Sequence, residues 1–484
     1  MASQSFLVRA ISAGALANAS AFILQIVRSK MVALLTGTEG VGFWGATQSL
    51  SNSLISITTL GIPNGVPVSI AESWNRDENL RVLKSLSATI CSVFGLSLVI
   101  GIVASPFAKV ISSAVLGSED SYWIVLLALF ANPFAAVGLV IACALQGMAM
   151  LRAQMALWIV GHGLLTAMCV GSTFIFGTTG ISVAWLLYGP VSFALAIVVF
   201  YQAIGAESFS RFLESFRVMS TVEIRGAVSK LIPFIRTGAT VAILMALSTF
   251  TVRIMILNRT GLSELGLFVS VAGISASITT LVQSILSTYA IPNLSNNQNS
   301  TERLHSETNK LINTIFLSSF PVLITASVFA EQVLAILFSK DFMPAGDLVR
   351  LYLSGELVQL FSWSFVIYFN VLKRPGRISL AKSAEYSVFI LVAMSALPIV
   401  GILGVGAAYL VSGASAVLAF LLLVPRQCSQ IVTVIDILIW IGGFTSLILL
   451  QQRMVNTGLF VGGVAMTMCL HRFYKYVKIG GIVT

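Results

Sequence analysis

The chain has 484 residues, of which 57% are hydrophobic and only 10% charged, with a mean hydropathy of +0.95. That is too little charge to cover a soluble globule of this size, so the chain belongs in a bilayer. Its formal net charge of +10 raises nucleic acid as a partner, a reading that the placement of the basic residues excludes below.

Apolar stretches of membrane-crossing length recur along the whole chain. In order they fall near 11–31, 43–63, 86–104, 122–146, 153–175, 181–201, 232–256, 265–288, 312–336, 349–371, 384–401, 405–425, 433–450 and 457–471. These predict about 14 transmembrane helices. Helices are expected rather than a barrel because the runs are continuously apolar, whereas barrel strands alternate apolar and polar residues. The first run reads as a retained helix, since only a short, weakly apolar segment precedes its small-residue ALANASA stretch.

With the N-terminus on the cytoplasmic side, nineteen Lys and Arg fall in the inner loops and at the two ends. The outer loops hold only Lys109, Arg259, Lys340 and Arg453. The positive-inside rule produces that asymmetry in any many-spanning protein, so the basic balance reports topology and not nucleic acid. Five basic residues remain within or at the edges of the spans: Arg28, Lys30, Arg236, Arg253 and Arg350.

Cys91, Cys143, Cys169, Cys428 and Cys469 show no ligand spacing and read as small core residues, and His162, His305 and His471 are too scattered for a metal cluster. The longest break between spans, 203–230, mixes polar and apolar residues and predicts an amphipathic helix on the cytoplasmic face. Six spans precede it and six follow. The expected domains are therefore an N-terminal six-helix lobe at 1–202, the linker at 203–230, a C-terminal lobe at 231–425, and an extra helix pair with a basic tail at 426–484. Because six is even, a duplication would give parallel repeats.

An internal match supports it. VRSKMVALLTGTEGVGFW from Val27 corresponds to VRIMILNRTGLSELGLF from Val252, pairing Arg28, Gly37 and Gly42 with Arg253, Gly261 and Gly266, and Pro67 stands 225 positions before Pro292, as Arg28 does before Arg253. Each arginine sits roughly 12 to 13 Å of helix rise from the outer turn. At that depth it must snorkel to headgroups or face a polar interior. In the second case Arg28 and Arg253 form an anion site, because a guanidinium stays charged and donates paired hydrogen bonds to phosphate. Lys30 and Arg236 are further candidates. Glu356 is the intramembrane carboxylate well inside a span, with Glu385 near the start of the next, and it reads as a proton or cation site or as the partner of a basic residue. Gln25, Gln48, Asn64, Gln283, Gln359 and Asn370 could bond sugar hydroxyls or join helices.

The basic residue late in helix 1, GTEGVGFWGATQSLS, LGIPNGVPVSIAES and LYLSGELVQLFSWSFVIYFNVLKRPGRI together resemble the polysaccharide-precursor (O-antigen, Wzx-type) flippases of the multidrug/oligosaccharidyl-lipid/polysaccharide (MOP) exporter superfamily. The resemblance covers about residues 5–425. It implies an all-α fold of two six-helix lobes enclosing a cationic cavity, and transport of an undecaprenyl-pyrophosphate-linked oligosaccharide across a bacterial inner membrane. It also implies cavity roles for Arg28 and Arg253, with Asn64 and Gly65 at the inner end of helix 2. Glu356 stands where the family more often has Asp after Gly. No cofactor is implied beyond a proton or sodium gradient, and the implied partners are the lipid-linked sugar, a polysaccharide polymerase and a chain-length regulator. Two other functions compete with this one: a drug/cation antiporter of the same fold, and a membrane polymerase or glycosyltransferase, which the short outer loops disfavour. A reporter fused after Thr484 is expected on the cytoplasmic side; a periplasmic signal would break the even count of spans.

Overall fold

The computed structural model describes residues 2–74, 79–217, 221–296, 301–372, 374–424, 461–462 and 464–469, and among them every regular element is helical. The chain divides into two compact units, Met1–Gly266 and Leu267–Thr484. The first holds α1 (Ala2–Thr59), α2 (Ile62–Trp74), α3 (Asn79–Ala104), α4 (Ala108–Leu116), α5 (Tyr122–Gly147), α6 (Leu151–Ile204), α7 (Ala206–Arg217), α8 (Thr221–Thr260) and the first turn of α9 (Leu262–Asn296). The second holds the rest of α9, then α10 (Thr301–Val328), α11 (Ala330–Leu337), α12 (Gly346–Val371), α13 (Pro375–Val400) and α14 (Ile402–Leu423).

Nine helices among the described residues are long and apolar enough to cross a bilayer. Two of them are double. A straight α6 of 54 residues would reach about 81 Å, well over twice the hydrocarbon thickness. It breaks at Gly177 (φ 60, ψ −141), as α1 breaks at Gly37 (φ 64, ψ −161). These dihedrals lie in territory that glycine enters freely and an L-residue enters only at a cost of about 1–3 kcal/mol. Each break turns one continuous run into two arms, matching the two expected spans.

Three expectations shift. The stretch 203–230 starts within the end of α6 and breaks at Gly205 (φ 80) before α7, a 12-residue amphipathic helix carrying Phe212 inward; α8 is helical from Thr221, and 218–220 lie outside the described residues. The span expected at 312–336 is divided at Phe329, where α10 ends and α11 begins. The second arm of α1 stops at Thr59, followed by Leu60 (φ 47) and Gly61 (φ 76), so Asn64 lies inside a separate α2 rather than at the end of helix 2. Gly61 there passes close to α8: a Cβ on it would stand 2.7 Å from the Gly238 Cα. Of the extra C-terminal pair, the run at 433–450 lies outside the described residues; in the run at 457–471, residues 461–462 and 464–469 are helical.

The elements repeat in sequence as the duplication requires. Gly37 and Gly261 (φ 90) both open the arm that follows them, Gly177 and Gly401 (φ 64) both divide a hairpin, and each pair is 224 positions apart. The starts Tyr122 and Gly346, and Leu151 and Pro375, keep the same interval. In each half a short helix and a 3-10 turn, α4 with Glu119–Ser121 and α11 with Lys340–Ala345, precede the long helix α5 or α12.

Within the first unit the starts of the two repeats touch. A Cβ on Gly42 would lie 2.1 Å from the Leu262 carbonyl oxygen, and one on Gly266 would lie 1.9 Å from that of Thr38. Thr38 and Leu262 are themselves 224 positions apart, so the contact is symmetric about its own middle. Thr38 Oγ1 and Ser263 Oγ add a hydrogen bond at 2.8 Å. Small residues at such crossings let backbones meet where no hydrophobic force drives helices together in lipid. Gly266→Val should lower stability by about 1–3 kcal/mol or more, read as the thermal midpoint of the detergent-purified chain. Gly163→Ala, where an added Cβ meets nothing within 4 Å, should leave that midpoint in place; equal midpoints for the two variants would refute the close approach.

Candidate functional site

The first arm of α1 carries Arg28 nine residues before its break, and the second arm carries Trp44 and Gly45 just beyond. The second arm of α6 brings Trp185 and Tyr188, its first arm brings Trp158 and His162, and α8 brings Arg253. The Gly37 and Gly177 breaks are what bring both arms of each hairpin to one place.

Arg28 is only 3% exposed. Its Cζ lies 5.8 Å from the centre of the Trp44 ring and 5.5 Å from that of Trp185, and the two indoles meet edge-on at 5.8 Å. Each cation–π contact is worth about 0.5 to 2 kcal/mol, more when desolvated. An arginine deep in a bilayer costs about 2.5–3.5 kcal/mol even on insertion scales. The indoles therefore offset part of that cost and leave the charge itself uncancelled, because none of the described ion pairs involves Arg28. Its Nε and Nη1 are buried with no hydrogen-bond partner, as are Trp44 Nε1 and His162 Nδ1. His162 and Tyr188 are within electrostatic reach of the guanidinium, and Trp158 stacks on His162 at 5.5 Å. Buried donors without acceptors are costly. This arrangement is completed by an acceptor, above all an anion.

Arg253 is half-buried, and its Nη1 donates to the Gly45 carbonyl at 2.5 Å. The structure thus brings Arg28 and Arg253 to adjacent residues of one arm, Trp44 and Gly45. Gln25 lies one turn before Arg28 and Gln48 one turn after Trp44, both half-buried. Lys30, also half-buried, is two residues from Arg28 and so about 200° around the helix. Asn370 is exposed near the end of α12, in the second unit. The side chains of Arg236, Asn64 and Gln283 lie outside the described residues.

Arg350 is taken by other partners. It makes two 2.7 Å bonds to Glu331, one to Asp347 at 2.7 Å and one to the Ser327 carbonyl at 3.2 Å. It fastens α12 to α10 and α11.

Glu356, 1% exposed on α12, accepts hydrogen bonds from Ser275 and Thr279, one turn apart on α9, and from Tyr409 on α14 at 2.7 Å. Tyr409 stacks on Tyr352 at 4.0 Å with an 8° interplanar angle. It reaches Glu356 because Gly355 has no side chain; a Cβ there would stand 2.7 Å from the Tyr409 ring. Lys382 and Glu385, both buried on α13, pair with each other at 2.7 Å. Among the described residues no basic side chain pairs directly with Glu356; three hydroxyls share it. Gln359, one turn along, is buried as well.

Sequence reasoning passed over Trp44, Trp185 and Tyr188. A signal existed for Trp44, which stands inside the duplicated segment itself; Trp185 and Tyr188 are one aromatic pair among many in apolar runs and carry no mark until α6 folds back.

A family model described as "Polysaccharide biosynthesis protein" matches residues 49–347. No curated protein sequence matches the chain significantly. Among solved structures, a multidrug resistance MATE family transporter of the MOP superfamily in its inward-facing conformation shares 14% identity over 83% of this chain and 93% of its own, with a TM-score of 0.67. The lipid II flippase MurJ in an inward closed conformation shares 13% over 97% of this chain and 99% of its own, at 0.66. A MOP superfamily transporter from Pyrococcus furiosus shares 14% over 87% and 97%, at 0.57. At these identities the likeness is one of fold.

Glu356→Leu should strand the hydroxyls now bonded to the carboxylate, at about 1–3 kcal/mol for each buried donor left unpaired, with Glu356→Gln losing less. Thermal midpoints of the purified variants check this, and a Leu variant as stable as the parent would show that the hydroxyls do not depend on the carboxylate.

Proposed function

The chain belongs to the polysaccharide biosynthesis protein family, and from that premise we propose that it is a flippase moving an undecaprenyl-pyrophosphate-linked oligosaccharide, an O-antigen or related surface-polysaccharide repeat unit, across the bacterial inner membrane. The observation that carries this reading is Arg28: a buried, unpaired guanidinium walled by Trp44 and Trp185, with donors left over. A pyrophosphate supplies the charge and the acceptors that these groups lack, through short charge-assisted hydrogen bonds. The aromatic walls and the half-buried Gln25 and Gln48 suit the adjoining sugars, while a prenyl chain has the hydrophobicity to stay in lipid. The fold shared with a lipid II flippase supports a lipid-linked sugar as cargo. Parallel repeats support alternating access.

Glu356 is the group we assign to coupling with a proton or sodium gradient, because a carboxylate among three hydroxyls offers oxygens alone. The excess of Lys and Arg in alternate loops supports termini in the cytoplasm, and a polymerase and a chain-length regulator would act on the delivered unit. The second reading, a drug/cation antiporter, has the fold shared with multidrug MATE transporters in its favour. Against it stands the site in the first unit, which is cationic where a drug cation needs carboxylates.

In a deletion strain, Arg28→Ala should trap lipid-linked oligosaccharide where periplasmic enzymes cannot reach it, with the variant still inserted in the membrane. Precursor reaching the periplasm at the parental level would refute the anion site. Restored drug resistance by the parent chain would favour the antiporter.

A further inference from the structure

Arg28 and Arg253 stand 225 positions apart, whereas the elements that carry them repeat at 224, as Gly37 and Gly261, Gly177 and Gly401, and the starts at Leu151 and Pro375 all show. In the frame of the breaks, Arg28 answers to Val252, and Arg253 answers to Ser29. One residue turns a helical side chain by about 100°, so the two guanidiniums leave their helices in different directions relative to the repeat. Burial follows the shifted frame: Arg28 and Val252 are 3% and 1% exposed, while Arg253 and Ser29 are both half-buried. Duplication supplied two arginines, and register gave them different surroundings.

Those surroundings differ in what they ask of the side chain. Arg28 meets two indole faces and keeps Nε and Nη1 unbonded. Arg253 also keeps a buried Nε without a hydrogen-bond partner, but it commits Nη1 to a backbone carbonyl at 2.5 Å, that of Gly45, the residue after Trp44. A main-chain oxygen held by a guanidinium fixes the rotation of its helix arm. Here it fixes the arm from which Trp44 projects towards Arg28 and meets Trp185 edge-on.

We infer that Arg253 is a positioning residue that braces the Trp44–Gly45 segment, and that the anion subsite is built on one guanidinium, Arg28, joined by the unpartnered Trp44 Nε1. The subsite grips a single phosphoryl group; the choice of a phosphoryl anion rests on the transport reading above. The charge of Arg253 is then dispensable where that of Arg28 is not. What matters at Arg253 is donation to the Gly45 carbonyl.

The test uses the full-length chain purified in detergent and labelled with 5-fluorotryptophan, with the Trp44 resonance assigned by Trp44→Phe. Inorganic pyrophosphate is the probe, titrated by calorimetry. Arg28→Gln should weaken binding about ten- to a hundredfold, the range for losing a charged hydrogen-bonding group. Arg253→Gln should stay within about threefold provided the Trp44 resonance is unmoved. Arg253→Met, which keeps length and removes donation, should displace or broaden the Trp44 resonance without any ligand and weaken binding with it, and Arg253→Lys should restore both. Loss of binding in Arg253→Gln as deep as in Arg28→Gln, with Trp44 unmoved, would establish a two-arginine clamp and overturn the inference. An unmoved Trp44 in Arg253→Met would also overturn it. If the parent chain binds no pyrophosphate, the transport reading loses its anion, and the Trp44 resonance alone decides whether Arg253 is a brace.

Discussion

Backbone amides and carbonyls inside a bilayer have no water to bond, so a chain that crosses it can leave helical geometry at few places. In this protein four of those places, among the described residues, are glycines in conformations other residues avoid, Gly37, Gly177, Gly261 and Gly401. The rest of the architecture follows from where they fall. Each break folds a run of helix back on itself or starts a new one, and the 224-residue interval between them sets the frame of the duplication. The Gly42–Gly266 approach is a consequence of the same frame, because the arms that begin after Gly37 and Gly261 bring equivalent residues to one crossing.

Within that frame the buried ionisable groups divide by how their charge is met. Arg350 has two carboxylates and a carbonyl, and Lys382 has Glu385; these groups are neutralised, and they fasten helices. Glu356 has three hydroxyls, which solvate a carboxylate without cancelling it. Among the described residues Arg28 meets aromatic faces, which attract a cation and offer no acceptor in its plane. A protein that needed Arg28 only for packing would do better with an apolar residue of similar volume. The incompleteness of its surroundings is the physical basis for assigning it to an anion.

The transport proposed above places particular demands on such a site. Its cargo joins a hydrocarbon tail, a charged pyrophosphate and a polar sugar, three groups with different preferences for lipid and water. A guanidinium shielded by indoles serves the charged part without flooding the helix bundle, and indole rings also present apolar faces to sugars. The family match and the shared MOP fold are consistent with this division of labour.

The sequence by itself determined the membrane setting, the helical class, most of the span positions and the existence of a repeat, because hydropathy, charge asymmetry and glycine spacing are local properties that lipid acts on directly. It also marked Arg28 and Glu356, since a charge in an apolar run is conspicuous without any fold. Tertiary structure decided what those charges meet. Trp185 and Tyr188 reach Arg28 only because α6 reverses at Gly177, and Tyr409 reaches Glu356 only because α14 passes over Gly355. It decided, too, that Arg28 and Arg253 differ: in the sequence they look like copies, and a one-residue slip against the breaks becomes a rotation of about 100° once the segments are helices.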